Sequence, residues 1–416
     1  MDGRDIRLGI IAMILGVILG AAGFVGMRTF GNHPEDASKV VPANEEQGEE
    51  QSPVQPVEPE APEEDPLAAE AARIVSEMTL EEKVAQLFIV SPEQITGVSV
   101  QTAAGDATLA ALEAHPVGGI IFFAQNLQSP DQTSSMLGNF QSYSHDVVGL
   151  PIFLCVDEEG GTVVRIADNP AFGVEDVGNA SDIGAGGNAS GASSAGSAIG
   201  TYLSDLGFNV DFAPVADVAN NPSSNTMTLR SYGSDASVVA EMVSACVEGM
   251  LSKGVYPCAK HFPGIGGAVG DSETSAIYSD RTADQMAEEE LLPFQAAVDA
   301  GVPLVMVGHL TCTGISDSGL PASLDPEVIS ILRERLGYEG IIVTDALSMG
   351  AVVELYPSSE IGVQALLAGD DMVLMPQDFD ACYQGILDAV AEGRISEERI
   401  DESVTRIVEA KLALES

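Results

Sequence analysis

Val255–Glu273 reads VYPCAKHFPGIGGAVGDSE. An apolar run of strand length ends at Ala259, a Lys260–His261 pair follows, and a glycine-rich loop then closes on Asp271-Ser272-Glu273. Outward from this stretch the same pattern recurs. Apolar runs occupy Gln86–Val90, Gly119–Phe123, Ile152–Val156, Val210–Ala213, Val255–Ala259, Leu304–Val307, Gly340–Val343 and Met372–Met375, with helical patterns between them. Short apolar runs that do not alternate with polar residues fit strands buried on both faces. Strands alternating with helices build parallel βαβ units, and eight of them in about 330 residues predict an α/β fold of the (β/α)8, TIM-barrel type.

Polar residues follow several runs directly: Asp157 after the third, Lys260 and His261 after the fifth, His309 after the sixth and Asp345 after the seventh. In such a barrel the C-terminal strand ends converge on one mouth, so residues remote in sequence meet there. Each alone also reads as a helix cap or turn former. Their shared register favours one common site.

Composition narrows the partners. The 416-residue chain carries 63 acidic against 17 basic residues, a formal charge of −46, whose field repels nucleic acid and anionic surfaces. Only 11 of the acids lie between Glu35 and Asp65, so the folded part itself is acidic. The cysteines, at 155, 246, 258, 312 and 382, are odd in number and lack metal-ligand spacing; they read as small buried hydrophobes. Neither a metal nor an organic cofactor is expected.

The N-terminal part has its own logic. Leu8–Met27 is an uncharged stretch of 20 residues, long enough to cross a bilayer as a transmembrane helix. A cleaved signal segment is the alternative, with Gly20-Ala21-Ala22-Gly23 as small residues and Arg4 and Arg7 offset by Asp2 and Asp5. Residues 1–30 are thus a membrane anchor or signal segment, and residues 31–66, rich in Glu, Pro and Gln, a disordered linker. The single catalytic domain is expected over 67–416. It opens with an amphipathic helix leading to MTLEEKVAQLFIV, where Thr79 and Glu82 have capping-box spacing. The low-complexity stretch Gly184–Gly200 leads into a helix-then-strand pattern, so its second half is expected on a helix rather than at a domain break.

Several separated motifs between Met78 and Ala413 resemble glycoside hydrolase family 3, in particular its bacterial β-N-acetylglucosaminidases. Lys260–Glu273 is similar to that family's KHFPGHGxxxxDSH, and Val156–Arg165 (VDEEGGTVVR) to its VDQEGGxVxR. Asn209–Gly233, ending RSYG, and Gly340–Val352 (GIIVTDALSMGAV) resemble two further family segments. The resemblance implies a carboxylate nucleophile at Asp345 and sugar-holding roles for Asp157, Arg165, Arg230, Lys260, His261 and, lining the site, His309. A carboxylate accepts from vicinal hydroxyls and a guanidinium donates to them, which suits these types to orienting a terminal sugar.

The departures cluster in one loop. Glu273 stands where the family motif ends in the acid/base His, Ile265 replaces a His, and Gly267-Ala268 replace its usual Asp-Thr. In the family Asp271 would orient that His; here two carboxylates are set to repel, which raises one pKa. A raised pKa is what a general acid near neutrality needs.

The expectation is a retaining exo-glycosidase, peptidoglycan-directed or acting on other glycans, that removes terminal β-linked N-acetylglucosamine at the cell surface. Its partners are a carbohydrate substrate and, through the N-terminal helix, the membrane, with the domain extracellular, or secreted if the segment is cleaved. The alternative is a catalytically impaired sugar-binding member of the family. With no Trp in the chain to stack on sugars, a short exo-type pocket is favoured over a long cleft.

Overall fold

A computed structural model describes residues 66–221 and 226–415. Ten strands are present among them: β1 (Phe88–Val90), β2 (Gly119–Ile121), β3 (Phe153–Val156), β4 (Val210–Asp211), β5 (Tyr256–Phe262), β6 (Ile277–Ser279), β7 (Leu304–Val307), β8 (Leu310–Cys312), β9 (Ile341–Thr344) and β10 (Val373–Leu374). Eight of them form one parallel sheet in the order β10-β1-β2-β3-β4-β5-β7-β9, and β6 pairs with β8 in a small separate sheet. A parallel bridge between Val343 and Met372 brings the ends of the large sheet together, so it forms a nearly closed barrel. Each of the eight apolar runs read from the sequence supplies one barrel strand.

The strands are buried on both faces because helices cover their outer side and side chains fill the interior. Most polar residues expected just beyond a strand do lie there, with Asp157 after β3 and Asp345 after β9. Lys260 and His261 differ, since β5 runs on through them to Phe262, past the expected end at Ala259. A charged residue can stay in this buried strand because its charge is answered, as described below.

Thr79 accepts from the Glu82 amide at 3.2 Å while the Glu82 carboxylate accepts from the Thr79 amide at 2.8 Å, which caps the helix Leu80–Gln86. The low-complexity stretch lies largely on the helix Ala189–Leu206, and its composition has a packing cause. That helix lies against Ala236–Leu251 so closely that a Cβ on Gly196 would sit 2.5 Å from the Cys246 carbonyl oxygen. A Cβ on Gly249 would lie equally close, 2.5 Å, to that of Ser193. All five cysteines are buried and free. No helix among the described residues is long and apolar enough to cross a membrane, and the Leu8–Met27 segment and the linker up to residue 65 lie outside them.

Candidate active site

At the C-terminal end of the strands is a cavity of about 230 Å³. Its wall includes Asp157, Arg165, Arg230, Lys260, His261, Asp271, Glu273 and Asp345, which come from loops and strand ends far apart in sequence. Its apolar part comes from residues such as Phe123, Met306 and Met349.

The floor is a network of charges. Lys260 Nζ donates to Asp157 Oδ1 at 2.8 Å and lies 2.8 Å from Glu159 Oε1. Arg230 grips the same Glu159 with Nε and Nη2, both at 2.7 Å, the bidentate geometry of the stronger guanidinium–carboxylate pairs. Burial alone would raise the Glu159 pKa, but Lys260 and Arg230 outweigh it and hold the carboxyl at about 2. Burial likewise disfavours the Lys260 ammonium, and Asp157 and Glu159 overcome it, so its pKa is raised and the charge persists. Arg165 Nη2 approaches Asp157 Oδ2 at 3.7 Å. The cations are therefore fixed before any sugar arrives.

Two buried carboxylates support this network. Asp217 accepts from His261 Nδ1 at 2.7 Å and from the Ile265 amide at 2.6 Å. That bond puts a proton on Nδ1 and turns Nε2 towards Arg230 Nη2, 3.5 Å away. Glu158 accepts from the backbone amides of Arg165, Ile166 and Ala167 and from the Tyr202 hydroxyl, at 2.5, 2.9, 2.9 and 3.0 Å, and so shapes the turn that carries Arg165.

Asp345 follows β9 directly. Its amide donates to the Val307 carbonyl at 2.8 Å, and its own Oδ1 accepts from the Ala346 amide at 2.8 Å, which orients the carboxylate. His309 sits behind this turn rather than in the cavity wall. It is 1% exposed; Nε2 donates to the Ala346 carbonyl at 3.0 Å and Nδ1 accepts from the Ser323 hydroxyl at 2.7 Å. Burial lowers its pKa and favours the neutral ring that these two bonds require. Both nitrogens are thus engaged, and neither is left for a sugar hydroxyl.

Glu273 faces the cavity from the glycine-rich loop. Partial burial, then Asp345, then Asp271 raise its pKa, while Arg230 pulls the other way. Asp271 does not hold the Glu273 carboxyl; its Oδ1 accepts from the Glu273 amide at 3.0 Å and so fixes the backbone turn. The loop is also tied to the segment after Asp345. Gly350 N–H donates to the Glu273 carbonyl at 3.0 Å and Ala351 N–H to the Ser272 carbonyl at 3.1 Å. The two carboxyl-bearing loops are therefore joined through their backbones.

Sequence reading assigned no role to Glu159, Glu158 or Asp217. All three lie inside motifs it singled out, yet their work is set by distant partners, Lys260 lying 101 residues (260 − 159) beyond Glu159. The signal that could have found Asp217 is an acid set between apolar neighbours, Ala216 and Val218, since such a group must be paired; Glu158 and Glu159, between Asp157 and Gly160, carry no such signal.

A family model described as Glycosyl hydrolase family 3 N terminal domain matches residues 79–410. Beta-hexosaminidase A of Pseudoalteromonas piscicida is 32% identical over 325 residues, covering 72% of this chain and 54% of that protein. Beta-hexosaminidase LpqI of Mycobacterium tuberculosis is 28% identical over 410 residues, 95% of this chain and 96% of that one. The chain thus spans about half the length of the first relative and nearly all of the second. Among solved structures, a glycoside hydrolase family 3 beta-N-acetylglucosaminidase from Paenibacillus sp. str. FPU-7 matches with a TM-score of 0.76 at 35% identity. The match covers 82% of this chain and 64% of that one.

Proposed function

The chain belongs to glycosyl hydrolase family 3, and from that premise we propose that it is a retaining exo-β-N-acetylhexosaminidase. The observation that carries the reading is the meeting of Asp345 and Glu273 on one small cavity whose floor is already charge-balanced by Asp157, Glu159, Lys260 and Arg230. The Asp345 carboxylate attacks the anomeric carbon; the bond to the leaving-group oxygen breaks, and Glu273 gives that oxygen its proton. Water then attacks the glycosyl-enzyme, Glu273 takes a proton from it, and the bond to Asp345 breaks with net retention.

The raised pKa of Glu273 supports its role as acid, because the carboxyl keeps its proton nearer neutrality than an ordinary Glu. Asp157, Arg165, Arg230, Lys260 and His261 hold the terminal sugar, and Asp271 sets the loop that presents Glu273. The small cavity and the absence of Trp support cleavage of one terminal residue at a time. We place the domain outside the cell, held through Leu8–Met27 or released after its cleavage, and acting on cell-wall-derived or other glycans.

A second reading rests on one observation: the Glu273 residue as a whole is solvent-exposed, as a flexible loop acid would be, and a loop that does not close leaves a sugar-binding barrel without turnover. Release of the aryl group from an aryl β-N-acetylglucosaminide by the full-length chain decides between them. Release that disappears in Asp345→Asn supports the enzyme; folded protein with no release from this or the matching β-glucoside overturns it.

A further inference from the structure

The glycine-rich loop rests on the segment that follows β4, residues 217–221. The Ile265 amide donates to Asp217 Oδ1 at 2.6 Å, and Asn221 Nδ2 donates to the Gly267 carbonyl at 2.9 Å. Between these two bonds the backbones touch. A Cβ on Gly266 would lie 2.1 Å from the Val218 carbonyl oxygen, so the loop settles this low only because that residue is glycine. The same segment also carries the turn that bears Arg230. The Ser231 hydroxyl donates to the Asp217 carbonyl at 2.7 Å, and the Ala219 amide to the Gly233 carbonyl at 2.8 Å.

The Asp217 side chain is where the two sides meet. It is fully buried, and its Oδ2 accepts from His261 Nδ1 at 2.7 Å and from the His261 amide at 3.3 Å, while Oδ1 takes the Ile265 amide. An ionised carboxylate only accepts, so it answers all three donors at once. A carboxamide in its place has one oxygen and one NH2 group. With the oxygen towards Ile265, the NH2 meets His261 Nδ1, and the ring must move its proton to Nε2, the nitrogen beside Arg230. With the oxygen towards His261, the NH2 meets the Ile265 amide and pushes the loop off its seat. A carboxamide therefore keeps one side and loses the other.

We propose that Asp217 is a positioning residue, a single buried carboxylate that sets the sugar-holding His261 and the loop ending in Glu273 in register with each other. Its part in turnover rests on the enzyme reading above. His261, Ile265 and Glu273 all line the catalytic cavity, the first two against opposite oxygens of this carboxylate and the third farther along the same loop. A change at Asp217 therefore alters both how the sugar is held and where the acid is presented.

The test compares full-length Asp217→Ala and Asp217→Asn with the wild type. Acid presentation is read as kcat/KM for an alkyl glycoside, whose leaving group needs a proton, relative to that for a dinitrophenyl glycoside, whose leaving group does not. Sugar holding is read as affinity for N-acetylglucosamine by ligand NMR, and the loop seat as amide hydrogen exchange over residues 264–273. In Asp217→Ala the kcat/KM ratio should fall about tenfold, the affinity about fivefold or more, and loop exchange should quicken while the barrel strands stay protected. Asp217→Asn should restore one of the first two readouts. A change in only one of them in Asp217→Ala, a change in neither, or faster exchange throughout the barrel overturns the proposal. Should Asp217→Ala not fold, Asp217→Asn decides: movement of either readout supports the proposal, and movement of neither overturns it. Wild-type protein without turnover sinks the activity alone, and the register is then decided by affinity and loop exchange, which must change together.

Discussion

Gly350→Ala is a test of whether the tie between the two carboxyl-bearing loops matters to catalysis. A Cβ at Gly350 would lie 2.8 Å from the Thr274 carbonyl carbon and 2.9 Å from the Glu273 carbonyl oxygen, where ordinary contact begins near 3.4 Å. The loops must part by about 0.5 Å, and the backbone atoms in the way cannot swing aside as a flexible side chain would. The bonds from Gly350 to Glu273 and from Ala351 to Ser272 lengthen or break, each worth roughly 0.5–1.5 kcal/mol net. Since a misplacement of about 1 Å can cost ~100-fold, the expected loss in kcat/KM for a substrate whose leaving group needs a proton is on the order of 10- to 100-fold.

The loss should depend on the leaving group. Dinitrophenolate departs without a proton, so kcat/KM for a dinitrophenyl glycoside, which reports the first step alone, should stay close to the wild-type value, while kcat/KM for a glycoside with a sugar or alkyl leaving group should bear the full loss; the second step, with Glu273 as base, is common to both. The assay is kcat/KM for both substrates, with thermal unfolding as a control on the fold. Equal losses on both substrates would mean that the Asp345 side had moved instead, and no loss on either would mean that the tie is incidental; both results refute the reasoning.

Glu273→Gln should reduce cleavage of unactivated substrates by about 10²–10⁴-fold and spare dinitrophenyl glycosides in the first step. Wild-type activity should fall as pH rises through the raised Glu273 pKa, because the acid must carry its proton; a pH–rate profile whose basic limb survives in Glu273→Gln would assign that limb elsewhere. In phosphate buffer the product should be free sugar, since an ionised Glu273 repels incoming phosphate; sugar phosphate in excess of free sugar contradicts this. Lys411 is buried, donates to Gln86 Oε1 at 2.6 Å, and burial lowers its pKa to about 7. Between that value and the ordinary ~10.4 the unfolded chain binds more protons, so this group's contribution to stability rises with pH across the window and is lowest at and below pH 7. Lys411→Met should therefore gain stability over wild type at pH 7 and lose that advantage towards pH 10, read by denaturant unfolding at both values; a difference that does not vary with pH overturns the assignment.

The barrel was legible because buried parallel strands write themselves as unbroken apolar runs, and all eight runs became strands. Cavity residues were legible where a motif placed a charged side chain at the end of such a run, as with Asp157 and Asp345. The end of β5 was not, because Lys260 looks like the close of a strand until Asp157 and Glu159 are seen to answer its charge. His309 has the right position along the chain to line the mouth, but its direction depends on Ser323 and the Ala346 carbonyl, which no local pattern announces. The glycine-rich helix Ala189–Leu206 shows the converse, since its composition resembles a linker only until the helix packed against it is in view.

The seam between β9 and β10, where the two ends of the sheet meet, is joined by one isolated bridge, Val343 to Met372. Backbone bonds cross it from the Asp371 and Met372 amides to the Ile342 carbonyl and from the Thr344 amide to the Met372 carbonyl, and side chains add to them: the Ile342 amide is satisfied by Asp371 Oδ2 at 2.9 Å and the Leu374 amide by Thr344 Oγ1 at 3.1 Å. Asp371 in turn is held by Arg333, by Arg406 at 3.0 Å and by Ser403 at 2.7 Å. Protection of the Ile342 and Leu374 amides is consequently tied to side-chain rotamers. β9 is the strand that leads into Asp345, so the carboxylate on the cavity wall borders a seam whose amides exchange in step with the side chains of Asp371 and Thr344.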